Sequence, residues 1–153
     1  MSAGYSGTPL AKKLGIKEGH RVGTLGAPAH FSRLLDPLPA SVRLQAGLRG
    51  RGTFHVLVVF VRTGRELRDR FERARARLDS GGGLWVAWPK QSSPLASTLR
   101  ESDVRRYGLA TGLVDNKVCA IDEDWSGLRF VVRVQDRPRW RERWLMRRGG
   151  LQN

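Results

Sequence analysis

Residues 54–61 read Phe-His-Val-Leu-Val-Val-Phe-Val, eight positions with one polar side chain among them. A near-continuous β-branched and aromatic run suits a strand buried on both faces, and such strands belong to parallel sheets with helices on each side. It is too short for a membrane span, which needs roughly 18 apolar residues in a row. No other stretch approaches that length, and the polar, Gly-rich start is not a signal peptide, so the expectation is a soluble, cytoplasmic protein.

The pattern after this strand changes period. Leu67, Phe71, Ala74 and Leu78 recur at spacings of four, three and four, which predicts a helix over residues 64–78 with one apolar face. Its Arg-rich opposite face reads as solvated. Ser80-Gly81-Gly82-Gly83 is expected to turn the chain into a strand from Leu84 to Trp88, closed by Pro89. A short helix is expected from Ser102, as N-cap, to Tyr107, with Gly108 stopping it. The strands expected at Val118–Ile121 and Leu128–Val134 are joined by six residues, too few for a helical crossover. They are therefore antiparallel neighbours.

Upstream, Arg21–Leu25 and Ser41–Gln45 are weaker strand signals, and residues 1–19 read as an N-terminal arm docked by Leu10, Leu14 and Ile16. The order predicts a Rossmann-like, three-layer α/β sandwich, mostly parallel with an antiparallel C-terminal hairpin. At 153 residues the chain fits one domain, expected at 20–135, followed by a basic Arg/Trp-rich tail at 136–153 without core contacts. The single cysteine, Cys119, excludes an internal disulfide framework and a Cys-cluster zinc site; inside a strand it reads as a small buried thiol. His20, His30 and His55 lack helical ligand spacing, and no metal site is expected.

Lys and Arg number 28 against 14 Asp and Glu, a formal charge of +14. Such a surface attracts polyanions weakly and without sequence preference. In the tail, Arg139, Arg141 and Arg143 alternate with Trp140 and Trp144, a composition suited to sequence-tolerant binding of single strands.

Two family resemblances add to this reading. The stretch from Phe54 to Val134 resembles the second half of a class I methyltransferase: a buried strand, a helix, a Gly-rich turn into a strand, another helix and a closing antiparallel hairpin. More of the chain resembles a small bacterial family of unknown function. The resemblance rests on the opening Ala3-Gly4-Tyr5-Ser6-Gly7-Thr8-Pro9-Leu10-Ala11-Lys12-Lys13-Leu14-Gly15-Ile16, on the block from Gly82 to Lys90, and on the block from Gly112 to Phe130. It implies a fold and a bacterial source, and no activity.

The methyltransferase resemblance implies a site for S-adenosylmethionine, which needs a Gly-rich turn after the first strand and a carboxylate ending the second. Here the turn is Leu25-Gly26-Ala27-Pro28 and the second strand runs into Ala46-Gly47. Neither requirement is met, so neither S-adenosylmethionine nor NAD is expected, and no cofactor. Asn116-Lys117 lacks the phosphate loop that a GTPase reading needs. The ligand-binding candidates are the strand-end residues: Trp88 as an apolar wall, Lys90 to engage an anion, Ser92 or Ser93 to hydrogen-bond, then Asp115, Asn116, Lys117 and Trp125. With no nucleophile–base pair visible, the expectation is a non-catalytic binding or regulatory module whose partner is an anionic small molecule or a protein. The alternatives are a small enzyme acting on an anionic molecule through Lys90, Asp115 and Lys117, and a non-specific nucleic-acid binder.

Overall fold

The computed structural model describes residues 7–143. Six strands form one sheet: β1 (Arg21–Leu25), β2 (Arg43–Ala46), β3 (Phe54–Phe60), β4 (Leu78–Pro89), β5 (Val114–Ala120) and β6 (Trp125–Val131), in the spatial order β2-β1-β3-β4-β6-β5. The first four run parallel, and β6 lies antiparallel between β4 and β5. The helices are α1 (Leu10–Lys13), α2 (Phe31–Leu34), α3 (Gly64–Arg75) and α4 (Glu101–Ala110). This is the mostly parallel Rossmann-like sandwich with an antiparallel hairpin that the sequence predicts. Among the described residues no helix is long and apolar enough to cross a membrane.

Alternation along β3 builds both layers. Leu57 and Val59 pack with Phe71 of α3 and Val104 of α4, while Val56, Val58 and Phe60 pack with Leu14 and Phe31 beside α1 and α2. All five strand residues are buried, each side chain stabilising the fold by about 1.5–3 kcal/mol. The N-terminal arm joins the second layer: Leu14 and Ile16 are buried, and the Trp85 indole Nε1 donates to the Leu14 carbonyl at 3.0 Å.

Several local expectations are corrected. Ser80 to Gly83 is no turn but part of β4, because the β3–β4 ladder slips from Phe54↔Leu78 to Val56↔Gly83. A Cβ at Gly82 would lie 2.6 Å from the His55 carbonyl oxygen, so the bulge needs glycine. Gly108 sits inside α4 instead of ending it, because a side chain there would enter the Phe130 ring. That helix starts a residue early, its first turn closed by Asp103 Oδ2 accepting from the Arg100 amide at 3.0 Å, not by Ser102. Asp115 to Lys117 belongs to β5 instead of preceding it.

The expected contact-free tail is corrected as well. Residues 137–143 are helical, and Trp140 packs against the α3–α4 layer while its Nε1 donates to the Leu78 carbonyl at 2.8 Å.

Candidate active site

In open α/β sheets ligands gather outside the carboxyl ends of the parallel strands. The β5–β6 turn lies at that end, since Trp125 pairs with Pro89, the last residue of β4. His30 lies there too, five residues past the end of β1. Between the turn, α2 and the start of α1 lies a cleft of about 640 Å³. Leu10 and Leu34 give it apolar wall, and Lys13 and His30 stand among four carboxylates, Asp36, Asp122, Glu123 and Asp124. On a chain of formal charge +14 this concentration of acid makes the cleft unlike the rest of the surface.

At its centre His30 Nε2 and Asp122 Oδ2 are 3.0 Å apart. The other carboxylate oxygen, Oδ1, accepts from the backbone amides of Asp124 and Trp125 at 2.8 and 2.9 Å, so the carboxylate cannot turn away. Packing fixes both partners. Phe31, next to His30, and Trp125, three residues past Asp122, each meet the Phe60 ring edge-on, at centroid distances of 4.9 and 5.0 Å. The end of β3 thus positions the pair. An anionic carboxylate on Nε2 selects the tautomer with its proton there, which leaves Nδ1 a bare acceptor. Among the described residues Nδ1 has no hydrogen-bond partner. This is the geometry of an oriented general base.

The structure separates the residues singled out from the sequence. Lys90 and Trp125 are near the cleft: the Lys90 amide donates to the Asp124 carbonyl at 2.8 Å, and Trp125 is buried beneath the turn. Trp88 faces the opposite core layer, and Ser92 is exposed, whereas Ser93 Oγ donates to Asp124 Oδ1 at 3.0 Å. Asp115 pairs in register with Phe130, at the far end of β6 from Trp125, and its carboxylate accepts from Arg105 Nε at 2.9 Å. Asn116 accepts weakly from Arg129, at 3.4 Å, and Lys117 is exposed on the same edge strand. Lys90, Asp115 and Lys117 therefore do not converge.

In the tail, Arg139 is exposed, Arg141 Nε donates to Ser80 Oγ at 2.9 Å, and Arg143 stands 6.0 Å from the Trp140 ring, whose indole N–H is already used. Trp144 lies outside the described residues. His30, Lys13 and Asp36 were missed, since 92 residues separate His30 from Asp122 and no local spacing signals the pair. Cys119 is half-buried, and burial pushes its thiol up from the usual range. Among the described residues no group of three or more His, Cys, Asp or Glu side chains could hold a metal ion.

No family model and no curated protein matches this sequence. Solved structures do match its fold. A SAM-dependent methyltransferase from Aquifex aeolicus superposes with a TM-score of 0.57 at 13% identity, over 79% of this chain and 86% of that one. Aeropyrum pernix fibrillarin, solved with natively bound S-adenosyl-L-methionine, gives 0.55 at 16%, over 76% and 68%. DhpI, in complex with SAH, gives 0.55 at 10%, over 80% and 81%. At these identities the likeness is one of fold. The expectation of a non-catalytic module and of a protein that is not an enzyme is corrected on this finding: the matched structures are a SAM-dependent methyltransferase and two proteins holding S-adenosyl-L-methionine or SAH.

Whether the residues here suit S-adenosylmethionine can be tested at the crevice between the ends of β1 and β3. A Cβ at Gly26 would lie 2.9 Å from the Arg70 guanidinium carbon and 3.0 Å from the Phe60 carbonyl oxygen. Arg70 Nη1 donates to that carbonyl, and Glu66 pairs with the same guanidinium at 3.5 Å. The backbone approach that a Gly-rich turn provides is filled by a side chain, and β2 ends on Ala46 without a carboxylate. The crevice does not fit this cofactor.

Proposed function

We propose that the protein is a group-transfer enzyme on a methyltransferase scaffold that activates an N–H or O–H acceptor in the acid-lined cleft. What carries this reading is the His30–Asp122 pair, with Asp122 fixed by two backbone amides and no hydrogen-bond partner on His30 Nδ1 among the described residues. Nδ1 takes the acceptor's proton while the acceptor's lone pair forms the new bond to the transferred group; that group's bond to the donor breaks, the donor leaves with the electron pair, and Asp122 holds the ring and stabilises the imidazolium that forms. A positioned base contributes about 10²–10⁴-fold to such a step. Three further carboxylates around the pair, Asp36, Glu123 and Asp124, favour a cationic acceptor such as an amine, and disfavour the anionic small molecule expected from the sequence. The opening segment and the Gly112–Phe130 block, which carry the resemblance to the bacterial family, both contribute to this cleft, the first through Thr8, Pro9, Leu10 and Lys13 and the second through Ala120 to Asp124.

Nitrogen-15 NMR of the imidazoles tests the pair. His30 is expected in the single tautomer protonated at Nε2, with the preference lost in Asp122→Asn. Small amines titrated into the protein should shift the resonances of Leu10, Leu34 and Ile121. A mixed tautomer unaffected by Asp122→Asn, or amines that leave those resonances in place, would sink the proposal.

A further inference from the structure

Far from the cleft, at the β1–β2 edge, the crossover from β2 to β3 is a loop of residues 47–53 with the sequence Gly-Leu-Arg-Gly-Arg-Gly-Thr. A loop this rich in glycine has little conformational preference of its own. Two guanidinium groups shape it. Arg77 donates from Nε to the Gly52 carbonyl at 2.7 Å, from Nη1 to Leu48 at 2.7 Å and from Nη2 to Gly50 at 2.8 Å. Arg21 donates to the carbonyls of Arg49, Arg51 and Thr53. Both guanidinium groups lie over the Phe54 ring, at 4.0 Å for Arg21 and 5.2 Å for Arg77. Six successive carbonyl oxygens, from Leu48 to Thr53, are thereby consumed by internal donors and withdrawn from the outer surface.

What remains outside is cationic. A groove of about 470 Å³ is lined by Arg21, Arg43, Gln45, Arg49, Gly50 and Arg51, with no carboxylate and no apolar side chain. Arg43, Arg49 and Arg51 are exposed, and among the described residues none of them makes an ion pair. On α3 and α4, Arg70, Arg73, Arg105 and Arg106 each pair with a carboxylate, and Arg65 and Arg68 of α3, without an ion pair among the described residues, do not line this groove. Gathering like charges is unfavourable in the empty groove. Burial and then the neighbouring Arg43 lower the affinity of Arg21 for its proton, and burial and then Arg21 do the same at Arg77. An oxyanion relieves that crowding.

We infer that this groove is a binding site for contiguous phosphate groups, recognised by the forked guanidinium groups of Arg43, at the start of β2, and of Arg49 and Arg51, on the loop pre-shaped by Arg21 and Arg77. The lining offers no exposed aromatic ring or apolar wall, so recognition is of phosphate and not of a base or an acyl chain. A nucleic-acid backbone and a free polyphosphate both present that chemistry. The inference is independent of the cleft and of the proposed reaction.

The test compares two triple variants of equal charge. One is Arg43→Gln, Arg49→Gln, Arg51→Gln; the control is Arg65→Gln, Arg68→Gln, Arg73→Gln, on the exposed face of α3. Both remove three charges, and circular dichroism checks that both fold. Fluorescence anisotropy with a labelled single-stranded hexanucleotide, at several salt concentrations and with tripolyphosphate as competitor, is the readout. The groove triple is expected to weaken binding at least tenfold and to flatten the salt slope by about 2, from roughly 0.7 per lost phosphate contact. The control should change affinity less than about threefold. Competition by tripolyphosphate at a few equivalents assigns the site to free polyphosphate; displacement only at large excess assigns it to a strand. Equal losses in the two triples, or no loss in the groove triple, would show that net charge alone attracts anions and would overturn the site.

Discussion

Replacing Gly108 by alanine should destabilise the protein, although helix propensity alone argues the reverse. Gly108 lies in the second half of α4, where exchanging glycine for alanine ordinarily stabilises a helix by about 1 kcal/mol. Here the new methyl carbon would stand 2.7 Å from Phe130 Cδ1 and closer still to Cε1 and Cζ. Ordinary carbon–carbon contact is about 3.5–4.0 Å, so every one of these separations is short by roughly 0.8 Å or more. Phe130 cannot swing clear, because it is fully buried and Phe71 packs against it at 5.4 Å between centroids. Either α4 lifts from the sheet or the ring leaves its rotamer, and overpacking of this kind costs about 1–3 kcal/mol. The clash offsets the propensity and more, for a net loss of up to about 2 kcal/mol and a fall in Tm of about 2–4 °C per kcal/mol at this size. Urea and thermal unfolding of Gly108→Ala measure it. Adding Phe130→Leu, which removes the ring, should make the double variant more stable than the two single effects sum to. If Gly108→Ala alone proves more stable than the parent, the close α4–β6 packing is refuted.

Two further perturbations test other parts of the fold. Trp85→Phe removes the donor to the Leu14 carbonyl, leaving a buried acceptor unsatisfied at a cost of about 1–3 kcal/mol, and hydrogen exchange across residues 10–16 should speed up more than in β3. In a Tyr5→Phe variant the remaining phenol, Tyr107, should titrate near 12 instead of 10, held up first by burial and then by its hydrogen bond to Glu72. Because the folded value is the higher one, its contribution to stability is complete below pH 10 and is lost as pH rises through 12. An absorbance titration centred on 10 would contradict the placement of Tyr107 against Glu72.

The sequence by itself determined the layered scaffold. The apolar run at Phe54–Phe60 and the four-three spacing at Leu67, Phe71 and Ala74 are local patterns with fixed periods, and each forces one burial geometry, although Leu78, which continues that spacing, opens β4 instead of closing the helix. The short link before Trp125 likewise left an antiparallel hairpin as the sole connection. Glycine was where local reading failed. Gly82 and Gly108 looked like turn and stop signals, yet each is required by an atom far along the chain, the His55 carbonyl and the Phe130 ring. The candidate site was decided by tertiary structure alone. His30 and Asp122 become a pair because Phe31 and Trp125 converge on one ring, Phe60, at the end of the central strand. Docking of the Arg/Trp segment was decided in the same way, by Leu78 offering a carbonyl to Trp140. Convergence of side chains from distant strands depends on sheet order and register, and no period or spacing along a single chain encodes it.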